Sequence, residues 1–241
     1  MPLTYQQEFN ASYFECDPWD RMTPGAALRR IQEIATDQCE GLGIDPPFYA
    51  RTHTAFVLSR MSLITHEMPR AKQPVQMETR AWGMRRAVYH RVTSMYDTGG
   101  RLLCEADTRW VLIDTETRRI LRRPLPEFLE FFSEDPVYDE HPMQLPKCAD
   151  YAQSAGMQAR LSLCDRNGHL NNTRYADLML DCLPAEKLEA GPPKRMLFYY
   201  HNEIPQGSDF ELRWNLSDRC ANFVATDGKS KNFEGFLGFD D

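Results

Sequence analysis

The sequence lacks several features that would assign a protein to a class on their own. Its seven cysteines are widely spaced and form no C-x-x-C pair, which predicts reduced thiols rather than a disulfide framework or a zinc ribbon. No apolar run approaches the roughly 18 residues of a transmembrane helix. The first ten residues show no basic stretch before an apolar one and no Arg- or Ser-rich segment, which favours a cytoplasmic protein.

Positive charge is not in surplus either. There are 28 Lys and Arg against 35 Asp and Glu, a net charge of −7, which excludes a general nucleic-acid binder because phosphate contacts need basic residues in excess. The six His show no ligand spacing, so we expect no metal and no cofactor. Basic residues do cluster locally, either as solvated surface or as a docking patch for an acidic partner. The clusters are Arg29-Arg30, Arg85-Arg86, Arg118-Arg119 and Arg122-Arg123.

The apolar content, 42 %, suffices for a globular core, and 241 residues fit one large domain or two small ones. The pattern begins with an aromatic-rich strand over 4–15. A helix follows, with Thr23 as cap and Pro24 in the first turn, and Gly41 and Gly43 end it. Four strand-like runs separated by polar turns come next, which is typical of antiparallel hairpins. They cover 54–68, 75–84, 87–96 and 102–113.

The same order of elements then repeats. A proline-rich, acidic segment over 124–150 predicts a linker with one short helix at 126–132. Beyond it we expect a strand, a helix capped by Asn172, and four more strands. These elements cover 156–163, 172–182, 195–203, 209–216, 220–226 and 232–239. The predicted units are therefore residues 1–123 and 151–241.

A helix wrapped by a curved antiparallel sheet, twice in one chain, resembles the double hotdog arrangement. The predicted fold class is α+β: two tandem strand-helix-four-strand units whose antiparallel sheets are joined edge to edge. Joining the sheets also removes two exposed strand edges.

The most informative stretch lies where the second unit passes from strand to helix. Asp165, Asn167 and His169 alternate, so their side chains face one side of an extended segment. The helix that follows offers free backbone N–H groups and a dipole that favours negative charge. A carboxylate, an amide and an imidazole beside such donors form a candidate acyl-transfer site. The alternative is a polar loop that only caps the helix.

The pattern D-x-N-x-H-x-N-N-x-x-Y is very similar to the signature of acyl-acyl carrier protein thioesterases, the plant FatA and FatB type and their bacterial relatives. It is formed here by Asp165, Asn167, His169, Asn171, Asn172 and Tyr175. A second, weaker element of the family is a strand with Tyr199 and Glu203 at matching positions. The resemblance covers both halves and the linker.

The resemblance implies hydrolysis of a fatty acyl-acyl carrier protein, which releases free fatty acid and ends chain elongation in fatty acid biosynthesis. Two mechanisms stay open. In one, Asp165 attacks the carbonyl and forms a mixed anhydride that water opens. In the other, Glu203 or Asp165 acts as general base on a water. Asn167 and His169 would orient the reacting groups, and N–H groups near Asn171 and Asn172 would hold the oxyanion.

The first unit is expected to be non-catalytic and to hold the acyl chain. Its residues at the matching joint, 148 positions earlier, are Trp19 in place of Asn167 and Arg21 in place of His169. Tyr175, Asn171 and Asn172 are expected to bind substrate beside the site. Candidate pocket residues, each of which would otherwise be plain core, are Trp82, Phe56, Leu58, Leu28, Ile31 and Met61.

No thiol is expected to take part, since Ile204 occupies the position where the plant enzymes carry Cys. Cys164 and Cys182 are predicted to be small packing residues. The partner implied by the family, acyl carrier protein, is strongly acidic and would need a local basic face. The candidates for that face are Arg118, Arg119, Arg122, Arg123 and the pair Lys194-Arg195, which precedes the strand leading to Glu203.

Two rival functions remain at this point. One is an acyl-CoA thioesterase of the 4-hydroxybenzoyl-CoA type, although such chains are usually single hotdogs. The other is a non-catalytic acyl-binding hotdog protein, which would have no use for four clustered polar groups. A homodimer is also left open.

Overall fold

The first half of the computed structural model is a helix packed on a five-stranded sheet. The structure describes residues 4–129, 140–148 and 150–240. The elements of the first half are β1 (Thr4–Asn10), α1 (Pro24–Gly41), α2 (Pro46–Thr52), β2 (Thr54–Thr65), β3 (Pro74–Arg85), β4 (Val88–Tyr96) and β5 (Leu102–Asp114). In the described part of the chain no helix is long and apolar enough to cross a membrane.

The second half repeats this order with shorter elements. They are β6 (Gln153–Gln158), α3 (Arg174–Asp181), α4 (Ala185–Ala190), β7 (Arg195–Tyr200), β8 (Asp209–Leu216), β9 (Cys220–Thr226) and β10 (Lys231–Gly238). One layer of helices therefore covers each half of the sheet, as expected for an α+β fold.

All ten strands form a single antiparallel sheet in the order β1-β3-β4-β5-β2-β7-β10-β9-β8-β6. Each half of this order mirrors the other, and the two halves meet where β2 pairs with β7. At this junction Met61 lies opposite Phe198 and Leu63 opposite Met196, and all four side chains are buried. The predicted double hotdog with sheets joined edge to edge is confirmed.

The long helix α1 begins and packs as the sequence predicts. The Thr23 side chain accepts a hydrogen bond from the N–H of Ala26 (3.2 Å), and Pro24 occupies the first turn. Leu28, Ile31 and Ile34 recur at helical spacing and are almost fully buried in the main core. This apolar stripe holds α1 on the inner face of the sheet.

Several predicted boundaries differ from the structure. The expected strand 156–163 runs from Gln153 to Gln158 and is followed by a 3-10 turn at Leu161–Leu163. β7 ends at Tyr200, so Glu203 lies in the loop after the strand. The first strand likewise ends at Asn10, and α2 and α4 were not expected because both are short.

The described residues of the linker contact both faces of the sheet: Phe128 packs with Phe48 and Tyr89 on the helix side, whereas His141 lies on the outer face. The predicted helix of the linker is a 3-10 turn at Pro126–Phe128 that ends at Leu129, and residues 130–132 of that prediction lie outside the described residues. Further along, His141 Nε2 lies 3.0 Å from Glu105 Oε1, and the Tyr199 hydroxyl donates to the carbonyl of Met143. These contacts attach the linker to both halves of the sheet.

Candidate active site

A tight loop sets Asp165 and His169 opposite each other. The N–H of Asp165 donates to the carbonyl of His169 (3.0 Å), and the N–H of Gly168 donates back to the carbonyl of Asp165 (3.0 Å). Gly168 has φ +79°, a conformation that glycine adopts without strain. Asp165 Oδ1 also accepts the N–H of Asn167 (2.8 Å). The alternation seen in the sequence is thus realised as a closed turn and not as an open strand.

His169 lies between two carboxylates. Its Nδ1 is 3.7 Å from Asp165 Oδ1, and its Nε2 is 3.6 Å from Glu203 Oε1. The side chains of Asp165 and His169 are 22 % and 24 % exposed, whereas that of Glu203 is 47 % exposed. The structure therefore brings together three of the four predicted catalytic side chains in a partly exposed site. The fourth, Asn167, lies at the exposed tip of the loop.

Glu203 is placed by backbone contacts that the sequence did not reveal. The N–H of Leu170 donates to the carbonyl of Ile204 (2.9 Å), which ties the loop after β7 to the Asp165–His169 loop. The Asn232 side-chain amide donates to the carbonyl of Glu203 (3.3 Å) and is itself buried. No pattern in the sequence distinguishes Asn232 from any polar residue at the start of a strand.

The first half also contributes a charged side chain to this site. Arg118 Nη2 lies 3.8 Å from Glu203 Oε2. Arg118 stands in the turn after β5 with φ +59°, and its N–H donates to the carbonyl of Asp114 (2.9 Å). Arg119, Arg122 and Arg123 are exposed nearby in the chain. The site therefore combines residues of both halves.

The start of α3 differs from the expected one. The side chain of Asn171, not Asn172, accepts the N–H of Thr173 (2.9 Å) and its hydroxyl (2.7 Å), so Thr173 precedes the helix. The N–H of Asn171 donates to the carbonyl of Leu163 (3.0 Å) and is not available to an oxyanion. Within the described residues, the N–H of Asn172 has no such backbone acceptor, so it remains a candidate donor.

Tyr175 is a core residue in the structure. It is 3 % exposed, stacks on Phe233 with ring centroids 4.1 Å apart, and burial raises its pKa. The hydroxyl that reaches the site loop belongs to Tyr200, which donates to the carbonyl of Asn172 (2.9 Å). Sequence reasoning selected Tyr199, but alternation along β7 turns Tyr199 to the opposite face.

The predicted pocket residues lie in three different parts of the structure. A small cavity of about 20 Å³, room for about one water, lies between α1 and the sheet. Its lining includes Leu28, Ile31, Leu58, Met61, Arg91, Thr108, Trp110 and Thr173. Phe56 instead joins a second apolar cluster with Tyr89 and Phe128. Trp82 pairs with His90, whereas its neighbour Ala81 pairs with Arg91, so Trp82 faces the outer side of the sheet.

The matching joint of the first half keeps the turn but not the chemistry. Asp17 Oδ1 accepts the N–H of Trp19 (3.0 Å), just as Asp165 accepts that of Asn167. The place of His169 is taken by Arg21, whose guanidinium pairs with Asp17 and donates to the carbonyls of Leu188 (2.6 Å) and Glu189 at the end of α4. This Arg therefore ties the two halves together.

The thiols near the site are held protonated. Burial raises the pKa of Cys164, and it raises that of Cys182 to about 11. Each thiol donates to a nearby carbonyl, of Ala159 and Leu178 respectively. Ile204 is buried. In the described part of the chain, no group of three or more His, Cys, Asp or Glu could hold a metal ion.

Two family models match the two halves of the chain. The model for the acyl-ACP thioesterase N-terminal domain covers residues 2–132, and that for the C-terminal domain covers 147–232. Among curated relatives, the chain is 25 % identical to the chloroplastic palmitoyl-acyl carrier protein thioesterase of Gossypium hirsutum over 99 % of its length. It is 24 % identical to oleoyl-acyl carrier protein thioesterase 2 of Arabidopsis thaliana over 85 %. The chain spans about three fifths of the length of these relatives.

Solved structures share the whole fold. A 12:0-ACP thioesterase from Umbellularia californica superposes with a TM-score of 0.88 at 19 % identity, covering 98 % of this chain and 97 % of that one. An acyl-ACP thioesterase from Bacteroides thetaiotaomicron gives 0.85 at 20 % identity, with 98 % of each chain covered. At these identities the likeness concerns the fold.

Proposed function

This chain belongs to the acyl-ACP thioesterase family, and we propose that it hydrolyses the thioester of a fatty acyl-acyl carrier protein to free fatty acid and carrier thiol. The observation that carries the proposal is the position of the partly exposed His169 between Asp165 and Glu203. In this proposal the second half carries the catalytic residues and the first half holds the acyl chain.

Two routes are compatible with this geometry. In the first, an Asp165 oxygen attacks the carbonyl carbon, the C–S bond breaks, and the thiolate leaves and takes up a proton; water then opens the mixed anhydride. In the second, Glu203 or Asp165 takes a proton from a water whose oxygen attacks the same carbon; the C–S bond then breaks, and the thiolate leaves and takes up a proton. In both, His169 orients a carboxylate, and the N–H of Asn172 is a candidate donor to the oxyanion.

Mass spectrometry of rapidly quenched enzyme separates the two routes. An acyl adduct on the peptide that carries Asp165 supports nucleophilic attack. If no adduct forms in a single turnover in ¹⁸O water and the fatty acid gains the label, a general base is supported.

The proposed binding of acyl carrier protein rests on the basic residues near Glu203. Arg29 and Arg30 are engaged with Asp177 and Glu15. Arg118 instead reaches Glu203, and the exposed Arg119, Arg122 and Arg123 follow it within five residues of the chain. We place acyl carrier protein on this second group. Lys194 and Arg195 lie at the end of β7 opposite to Glu203, roughly 20 Å away along the strand. We therefore do not include them in the proposed docking face.

The function is tested with purified protein on acyl-acyl carrier protein and acyl-CoA substrates of several chain lengths, with release of the free thiol as readout. The proposal expects a higher kcat/KM on the carrier-bound substrates. Preference for acyl-CoA would favour the rival acyl-CoA thioesterase, and no hydrolysis of either would favour an acyl-binding protein.

Location and assembly complete the proposal. Seven free cysteines support a reducing compartment such as the cytoplasm, which cell fractionation would test. Light scattering would report a homodimer as a mass near twice 28.0 kDa.

A further inference from the structure

The interior of the first half holds a positive charge that the proposed reaction does not use. Arg91 lies on β4 and is only 8 % exposed. Its guanidinium donates to Gln38 Oε1, to Thr79 Oγ1 (3.0 Å) and to Cys39 Sγ (3.5 Å). These partners are neutral, and within the described residues Arg91 forms no ion pair with a carboxylate. Such burial is costly, and it lowers the pKa of Arg91.

Arg91 also borders the cavity that contains most of the predicted pocket residues. Leu28, Ile31, Leu58 and Met61 line the same space. The guanidinium has five N–H groups. It donates three hydrogen bonds, to Gln38, Thr79 and Cys39, and the described residues provide no acceptor for the remaining N–H groups. A cation with unused donors therefore faces an otherwise largely apolar lining.

The cavity has room for about one water, and it is bordered both by a residue next to the site loop and by this charge. One wall is Thr173, whose N–H and hydroxyl are held by Asn171 of the site loop. Along α1 the lining runs from Leu28 to Ala35, and Gln38, which holds Arg91, follows one turn later. Leu28 and Gln38 are roughly 15 Å apart along the helix axis. An acyl chain that separated α1 from the sheet beside Thr173 and followed the helix would thus end at Arg91.

Resting on the proposed function, we propose that Arg91 sets the upper limit of acyl chain length. The guanidinium and its three neutral partners form the polar floor of the acyl pocket. A saturated chain long enough to touch this floor would place a methyl group against buried N–H donors and exclude water from them, which is unfavourable. Shorter chains end before the floor and do not incur it.

The test replaces the charge and keeps the length of the side chain. We compare wild type with Arg91→Met and Arg91→Lys on a series of saturated acyl-acyl carrier proteins. Arg91→Met is expected to raise the ratio of kcat/KM for the longer chains to that for the shorter by at least about tenfold, the discrimination that one methylene group commands in an apolar pocket. Arg91→Lys keeps a charge and is expected to keep the wild-type limit.

Met95→Leu is the matched control, since Met95 lies on the same strand and face and is fully buried but does not line the cavity. Its chain-length profile should equal that of wild type. Arg91→Met leaves the Gln38 acceptor without its donor, so Arg91→Met/Gln38→Leu replaces it if the single variant fails to fold. An unchanged profile in a folded variant of either kind would overturn the proposal.

A binding measurement keeps this inference separate from the proposed function. Trp110 lines the cavity, so quenching of its fluorescence by free fatty acids of increasing length reports on the pocket without hydrolysis. Affinity should fall beyond a certain length in wild type and continue to rise in Arg91→Met. If wild type hydrolyses no acyl thioester, the proposed function fails, and the binding series still decides the role of Arg91.

Discussion

At the residue scale, the candidate chemistry depends on one imidazole that faces two carboxylates. Asp165 reaches His169 within a five-residue turn, and Glu203 reaches it from a separate loop held by Asn232. The first pair is local and therefore visible in the sequence. The second depends on tertiary contacts, so the identity of Glu203 rested on family resemblance and the role of Asn232 was not predicted.

Removal of the nearest thiol is expected to leave activity intact. Cys164→Ala should retain the kcat of wild type, because burial raises the pKa of this thiol and the structure gives it only a carbonyl as partner. Cys182→Ala is the control, because burial also raises the pKa of the Cys182 thiol in wild type. Complete loss of hydrolysis in Cys164→Ala with an unchanged circular dichroism spectrum would reverse this assignment.

At the scale of elements, α1 and α3 pack so closely at Gly25 that a larger residue there would have to displace the Asp177 side chain. A Cβ built on Gly25 would lie 1.8 Å from Asp177 Oδ1, and Asp177 is paired with Arg29 at 2.7 Å. Arg29 and Asp177 are themselves 148 positions apart, the same offset that relates the two turns. The contact between the helices therefore joins equivalent positions of the two halves.

Gly25→Ala should lower the free energy of unfolding by about 1–3 kcal/mol, because the new methyl group displaces Asp177 and breaks its pair with Arg29. A Cβ on Gly41, at the end of the same helix, would have no atom within 4 Å. Gly41→Ala should therefore be neutral or stabilising by up to about 1 kcal/mol. Urea denaturation measures both, and equal effects of the two substitutions would contradict the packing argument.

The linker is attached to the sheet by a titratable contact. The hydrogen bond from His141 is the main cause that lowers the pKa of Glu105, and a bond from Ser94 adds to it. Since the folded pKa lies below the unfolded one, Glu105 stabilises the fold above the unfolded pKa, and this contribution is lost as pH falls through the folded value. The free energy of unfolding should thus fall more steeply below about pH 4.5 in wild type than in Glu105→Gln. Parallel pH profiles would contradict this assignment.

Element order was predictable because periodicity and turn residues are local. Thr23-Pro24 marked the start of α1, and the polar turns after β4 and β5 separated the strands. The predictions that were wrong concern which face of the sheet a side chain points to and where an element ends. Trp82 was assigned to the pocket, yet the two-residue period from Val75 through Ala81 turns it to the outer face. Arg118 and Arg91 gained their roles only through tertiary placement.

At the scale of the whole molecule, two similar halves carry different residues at equivalent joints. The first half supplies an Arg that closes its own turn and caps α4, a further Arg at the site, and the largest part of the cavity lining. The second supplies the carboxylates and the imidazole. Under the proposed function, divergence at one joint of a repeated fold separates binding of the acyl chain from the chemistry.

Salt should weaken turnover of the carrier-bound substrate most. Raising ionic strength from about 0.01 to 0.1 M shortens the Debye length from about 30 to 10 Å and screens the exposed Arg118–Arg123 group. We expect kcat/KM to fall for acyl-acyl carrier protein and to change little for a short acyl-pantetheine, which has no acidic surface. Equal salt sensitivity of the two substrates would show that docking does not use this surface.

The most direct test of the central claim compares the two equivalent aspartates on one acyl-acyl carrier protein substrate. Asp165→Asn should lower kcat by at least about 100-fold, because the carboxylate acts on the reacting carbon or on the attacking water. Asp17→Asn changes the same turn in the first half and should leave kcat unchanged. If Asp165→Asn keeps wild-type turnover, or if both variants lose activity equally while folded, the assignment of the chemistry to the Asp165–His169–Glu203 site is contradicted.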